Sequence, residues 1–185
     1  MPTAFTHPAV PLALSLSSKP QTISNRLLAA GVLASIIPDV DVLAFRMSIP
    51  YSDQFGHRGF SHSLLFAFAV ALIGCCASRQ LKTTGKAAFA FLFAAAASHG
   101  LLDMFTNGGL GVALFWPFSS ARFFAPIRPI QVSPIGASRL LSENGLAVLW
   151  SELLWVWLPT FAIVLLIRTL RHMESRSIGK ENAVK

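Results

Sequence analysis

The sequence predicts an all-α fold: a helical bundle integral to a membrane, with about five helical segments, at least three of them long enough to span. Three observations carry this expectation. Of 185 residues, 54% are hydrophobic and only 12% charged, about half the charged share of an ordinary soluble domain. The mean hydropathy is +0.59. Apolar runs of about twenty residues recur at 60–77, 87–104 and 146–166, each bounded by charged or glycine-containing links.

Taken in order, residues 8–18 are apolar but short and contain Pro11, which suits an interfacial or half-spanning helix. After a polar turn at 19–25, residues 26–37 form a second apolar segment that Pro38 is expected to stop. Residues 42–59, with Arg46, Pro50 and Asp53, read as a loop. The first long span, 60–77, is joined by the basic link 79–86 to the second, 87–104, which Asn107-Gly108-Gly109 ends. Residues 110–141 are rich in proline and aromatics and too irregular to cross lipid, so they read as an interfacial loop. The last span, 146–166, is interrupted by Pro159. This layout divides the chain into a membrane-embedded domain, 1–170, and a basic tail, 171–185, that reads as disordered and cytoplasmic.

The net charge of +7 does not point to nucleic acid, because the fifteen Lys and Arg stand in small groups between apolar runs, with no basic stripe interleaved with aromatics. Links 19–26 and 79–86 together with the tail after 167 hold ten basic and two acidic residues. The other side holds five and six. The positive-inside rule makes the first side cytoplasmic in a multi-pass protein. No positive charge precedes the first apolar stretch, so no secretory signal peptide is expected. Cys75 and Cys76 are adjacent within an apolar run and read as packing residues.

Following the helices up and down in that orientation gathers the polar residues. His7 opens the first segment, Asp39 and Asp41 end the second, His57 and His62 open the third, His99 and Asp103 close the fourth, and Glu152 lies early in the fifth. All eight fall toward the non-cytoplasmic face. His99 and Asp103, at i and i+4, meet on one side of a helix and can share one ion. Asp39 and Asp41 sit two apart after a proline, so one can ligate while the other orients a histidine or bridges a second ion. Imidazole with carboxylate and no cysteine suits zinc, with manganese or iron(II) also compatible. A lone charge in the apolar zone costs about 2.5–3.5 kcal/mol, and a divalent ion would offset several together.

Taken singly, each residue has a plainer reading: Asp39 and Asp41 as a helix end facing water, Ser61 as an N-cap, His99 and Asp103 as a buried pair, Glu152 as a partner of Arg122 or Arg139. The joint pattern carries the weight. Within it, His57 reads as a ligand or an acid/base group. Arg58 reads as the fork that receives substrate phosphate or carboxylate oxygens, and Ser61, Ser63 and Thr106 as further hydrogen-bond donors.

Three motifs in this order, Pro38-Asp39-Val40-Asp41, His57-Arg58-Gly59-Phe60-Ser61-His62-Ser63 and His99-Gly-Leu-Leu-Asp103-Met-Phe-Thr106-Asn-Gly108-Gly109, resemble the YdjM-like family. That family is described as LexA-binding, inner-membrane-associated, metal-dependent hydrolases. The resemblance covers roughly residues 5–170. It implies a helical protein of the bacterial inner membrane with a metal site at Asp39, Asp41, His57, His62, His99 and Asp103. An early family histidine would fall on His7 and an acid of the last span on Glu152. The family often reads Pro-Asp-x-Asp-His, and Val42 stands here where that histidine would be. The expected function is therefore metal-dependent hydrolysis of an ester or phosphoester, with a lipid substrate favoured by location. A transporter or ion relay built on the same cluster, and a non-catalytic membrane partner of a regulatory protein, are the alternatives.

Overall fold

The computed structural model describes residues 1–133 and 142–184. Residues 134–141, which contain Arg139 and the end of the expected interfacial loop, lie outside the described residues. Helix α1 is Ala9–Ser17. Helix α2, Asn25–Ile36, starts where the Ser24 hydroxyl accepts from Leu27 N. It does not stop at Pro38. The chain tightens into a 3-10 segment, Ile37–Met47, with the proline in its first turn, where its missing N–H removes no needed bond.

The expected loop thus begins later than residue 42. Asn25–Met47 becomes long and apolar enough to cross a membrane, as are Gly85–Met104 and Asn144–Arg176. The run at 60–77 is shorter as a helix than its composition suggests. Phe60–His62 forms a 3-10 turn, and Ser63 then caps α3, Leu64–Cys76, by accepting from Phe66 N. Helix α4, Gly85–Met104, is capped by Thr84. Helix α5, Glu143–Glu152, passes through a π turn, Leu153–Trp157, into α6, Leu158–Val184. That turn, just ahead of Pro159, is a register shift of the kind that sets apart a functional or strained point in a long helix.

Helix α4 is the centre of the bundle. Its Ala88, Phe91, Leu92, Ala95 and Ala96 pack with Leu27 and Ala34 of α2 and Ala67 and Ala71 of α3. Small residues set the spacing: a Cβ on Gly31 would lie 2.4 Å from the Phe91 ring. Close backbone approach of this kind is how helices associate where lipid supplies no hydrophobic drive. Helix α6 presents Phe161, Ile163, Leu165 and Leu166 outward, as a lipid-facing surface does.

The segment after α4 folds back over the ends of α3 and α4. Asn107 N donates to Ile130 O, Ile130 N to Phe105 O, and Ala125 N to Met104 O. Ala113 N donates to Arg58 O and Leu64 N to Leu114 O, which joins this segment to the loop before α3. Arg122 clamps the same loop by donating to the carbonyls of Tyr51, Asp53 and His57.

Candidate metal centre

Four side chains from three places in the chain converge on one point. Asp39 comes from the first turn of the 3-10 segment, His62 from the turn before α3, and His99 and Asp103 from one face of the last turns of α4. One donor atom of each lies within 4.8 Å of all the others. His62 Nε2 is 3.0 Å from His99 Nε2 and 3.2 Å from Asp103 Oδ2, and His99 Nε2 is 3.3 Å from Asp39 Oδ1. Ligands held about 2.0–2.1 Å from a tetrahedral ion stand about 3.3 Å from one another. Three of the pairs therefore stand near the spacing of a coordination shell, while His62 Nε2 lies 3.8 Å from Asp39 Oδ1.

The tautomers follow from the neighbours. His99 Nδ1 donates to the Ser35 carbonyl at 2.7 Å, so its Nε2 carries the lone pair. His62 Nδ1 lies 3.1 Å from Asp41 Oδ2, an acceptor, so its Nε2 is likewise the bare nitrogen. Two lone pairs and two carboxylates facing one buried point repel one another unless a cation lies between them. Both oxygens of Asp39 and both ring nitrogens of His7 are buried without a hydrogen-bond partner, which native structures seldom tolerate; the Asp103 carboxylate has no aligned hydrogen bond either and meets the Arg58 guanidinium as an ion pair. The residues fit a divalent cation.

His7 borders the same point from the start of α1. Its ring stacks on His99 at a centroid distance of 3.7 Å, and its Nε2 lies 3.7 Å from Asp39 and 3.8 Å from Asp103. Asp41 is the orienting acid. Its Oδ1 meets His57 Nδ1 at 2.5 Å, and its Oδ2 accepts from Ser61 Oγ at 2.6 Å and from Arg58 N at 3.0 Å in addition to facing His62. Asp41, His57 and His62 form a second group with donor atoms close enough for an ion, but Asp41 is already saturated by donors.

Three expected site residues stand differently from their sequence reading. The guanidinium of Arg58 is fully buried and engaged within the protein: Nε on Asp103 at 3.1 Å, Nη1 on the Gly108 carbonyl, Nη2 on Thr106 Oγ1. Fully buried, the guanidinium is not exposed to receive a substrate. Its backbone is left-handed, with φ of 61°, a conformation that costs about 1–2 kcal/mol and that the Asp41 and Ala113 bonds to its N–H and carbonyl hold in place. Glu152 is outside the cluster. Its carboxylate accepts from Thr3 N, Thr3 Oγ1 and Thr6 Oγ1, which ties the segment before His7 to the start of the π turn. Ser63 serves α3 as its cap rather than the site.

Several participants carry no sequence signal. The Ser35 carbonyl, Thr3, Thr6 and the Arg122 clamp act through contacts distant in the chain. Gly100 lets α4 approach the turn that carries His62: a Cβ there would lie 2.5 Å from the His62 carbonyl oxygen. Gly109, with φ of +87°, leaves room for Tyr51 and Arg58. In the loops, burial pushes the Tyr51 phenol above its ordinary value and the Arg122 guanidinium below its own.

Fold and site together define a helical membrane protein with a buried histidine–carboxylate centre. The chain belongs to the YdjM inner membrane protein family, whose pattern it matches over residues 1–175. It is 46% identical over 160 residues to the inner membrane protein YbcI of Escherichia coli (strain K12), an alignment covering 86% of this chain and 92% of that protein. No solved structure matches it.

Proposed function

We propose that this protein is a metal-dependent hydrolase acting within the inner membrane on an ester or phosphoester, a lipid by preference. The observation that supports the reading most is the pair of bare Nε2 atoms of His62 and His99, 3.0 Å apart and flanked by Asp39 and Asp103. These four residues would hold the ion, zinc by donor set or else manganese or iron(II), with His7 at its border. Such an ion would supply Lewis acidity toward an ester or phosphoester oxygen and toward water.

The protein residues divide the remaining work. Asp41 fixes the tautomer of His62 and, through the bond to His57 Nδ1, leaves His57 Nε2 as the group that takes and returns a proton. Arg58 is a positioning residue that holds Asp103. The lipid preference is supported by depth. His7 precedes Lys19 by twelve residues, Asp39 follows Arg26 by thirteen, and His99 follows Lys86 by thirteen. At 1.5 Å per residue the site lies about 18–20 Å from the basic side. With the basic side cytoplasmic, a site at that depth would lie past the middle of a hydrocarbon core about 30 Å thick.

Metal analysis of detergent-purified protein tests the proposal, with phosphoester and lipid-ester turnover measured with and without chelator. About one ion per chain and activity that chelation abolishes are expected. Wild-type protein without a stoichiometric ion sinks it.

A further inference from the structure

A second feature lies along the seam where α1 packs on α6. An apolar groove of about 330 Å³ runs between them, lined by Ala9, Leu12, Ala13, Trp157, Phe161 and Val164. At one end it opens into a recess of about 760 Å³ lined by Lys19, Gln21, Arg168, Arg171, His172 and Glu174. Leu16 and Arg168 line both, so the two are one continuous surface.

The chemistry changes sharply along this surface. The groove carries a single charged side chain, Arg168, at its mouth. The recess gathers three basic side chains against one acid. Arg171 donates to the Ser17 carbonyl and so fastens α6 to the end of α1. Among the described residues, no hydrogen bond or ion pair occupies the side chain of Lys19 or Arg168. Two exposed cations without a protein partner therefore stand at the end of an apolar trough.

We infer that the α1–α6 seam binds one anionic phospholipid, with its phosphate on Lys19 and Arg168 and one acyl chain along the groove toward Trp157. Length supports this occupant. Trp157 and Arg168 are eleven residues apart on a helical path, about 16 Å at 1.5 Å per residue, and one leaflet contributes about half of a 30 Å hydrocarbon core. A free phosphate would satisfy the cations but leave the groove unfilled. A zwitterionic lipid would fill the groove but bring no net charge to the recess.

Native mass spectrometry of delipidated, detergent-purified protein offered equal phosphatidylglycerol and phosphatidylcholine of the same chain length tests the inference. Wild type is expected to retain phosphatidylglycerol over phosphatidylcholine on the order of tenfold. The Lys19→Gln/Arg168→Gln double variant, altered only at exposed positions, is expected to bring that ratio near one. Ala13→Trp is expected to lower retention of both lipids by filling the groove. Equal retention of the two lipids by wild type would overturn the inference, as would a preference unchanged in the double variant. Displacement of phosphatidylglycerol by sn-glycerol 3-phosphate alone would reduce the seam to a phosphate site and remove the acyl chain from it.

Discussion

The Nε2 atoms of His62 and His99 face each other at 3.0 Å, and in each ring the other nitrogen is already committed as a donor, to Asp41 and to the Ser35 carbonyl. Neither Nε2 can donate to its neighbour while the rings are neutral. The contact is a defect in a metal-free core and an asset around an ion.

Replacing the proposed ligands one at a time should therefore separate binding from folding. His62→Ala and Asp103→Asn are each expected to abolish stoichiometric metal, read by elemental analysis of purified protein. Asp103→Asn also leaves Arg58 buried beside a neutral partner, and removing one side of such a pair costs about 3–5 kcal/mol. Its melting temperature in detergent should fall further than that of His62→Ala. A variant that kept its full metal content would remove that residue from the shell.

Asp41→Asn should behave differently. The side chain orients two histidines and accepts from Ser61 and from Arg58 N, so an amide in its place misaligns them without deleting a ligand. Metal affinity is expected to fall about 10–100-fold, with stoichiometric binding restored at high metal concentration. Turnover should stay low even when the site is loaded, because His57 loses its anchor. Full turnover on reloading would leave Asp41 only a ligand-orienting role.

How much of this was legible in the sequence depended on the range of the contacts. Ionisable side chains stand out against an apolar background, and the order of the helices alone brings Asp39, His62, His99 and Asp103 to one end of the bundle. The set of spans was harder. Pro38 looked like a stop, yet a proline in the first turn of a 3-10 segment costs nothing, and the helix runs on to Met47. The run at 60–77 looked continuous, yet Ser63 breaks it, because a hydroxyl cap is invisible to hydropathy. Arg58 looks like a free fork in the sequence because its partners, Asp103, Thr106 and Gly108, lie about fifty residues away.

Gly100 is a steric prediction. A Cβ at this position meets the His62 carbonyl at 2.5 Å, and that atom is backbone, so it cannot swing aside. Gly100→Ala should push the His62 turn off α4, at a cost of about 1–3 kcal/mol, and lower metal retention with it. Gly74→Ala is the control. The Cβ there meets the end of the Leu92 side chain, which can rotate away, so metal content should be unchanged. Equal metal loss in both variants would mean that general loosening of the bundle, and not the His62 position, governs the site.

Glu152 separates anchoring from ligation. Its two oxygens take the Thr3 N–H and the hydroxyls of Thr3 and Thr6, and Thr6 also accepts from the Trp157 indole at 3.2 Å. The acid thus fixes the segment that delivers His7 to the border of the cluster. Glu152→Ala strands three buried donors, each costing about 1–3 kcal/mol, so a marked drop in detergent melting temperature is expected. Glu152→Gln keeps an acceptor oxygen and should lose less. In both, about one ion per chain should persist, because Asp39, His62, His99 and Asp103 are untouched, while the ion exchanges faster with chelator as His7 loosens. Thr6→Val should reproduce the faster exchange without altering any carboxylate. Complete loss of metal from a folded Glu152→Gln protein would instead make Glu152 a ligand, as the family resemblance implies.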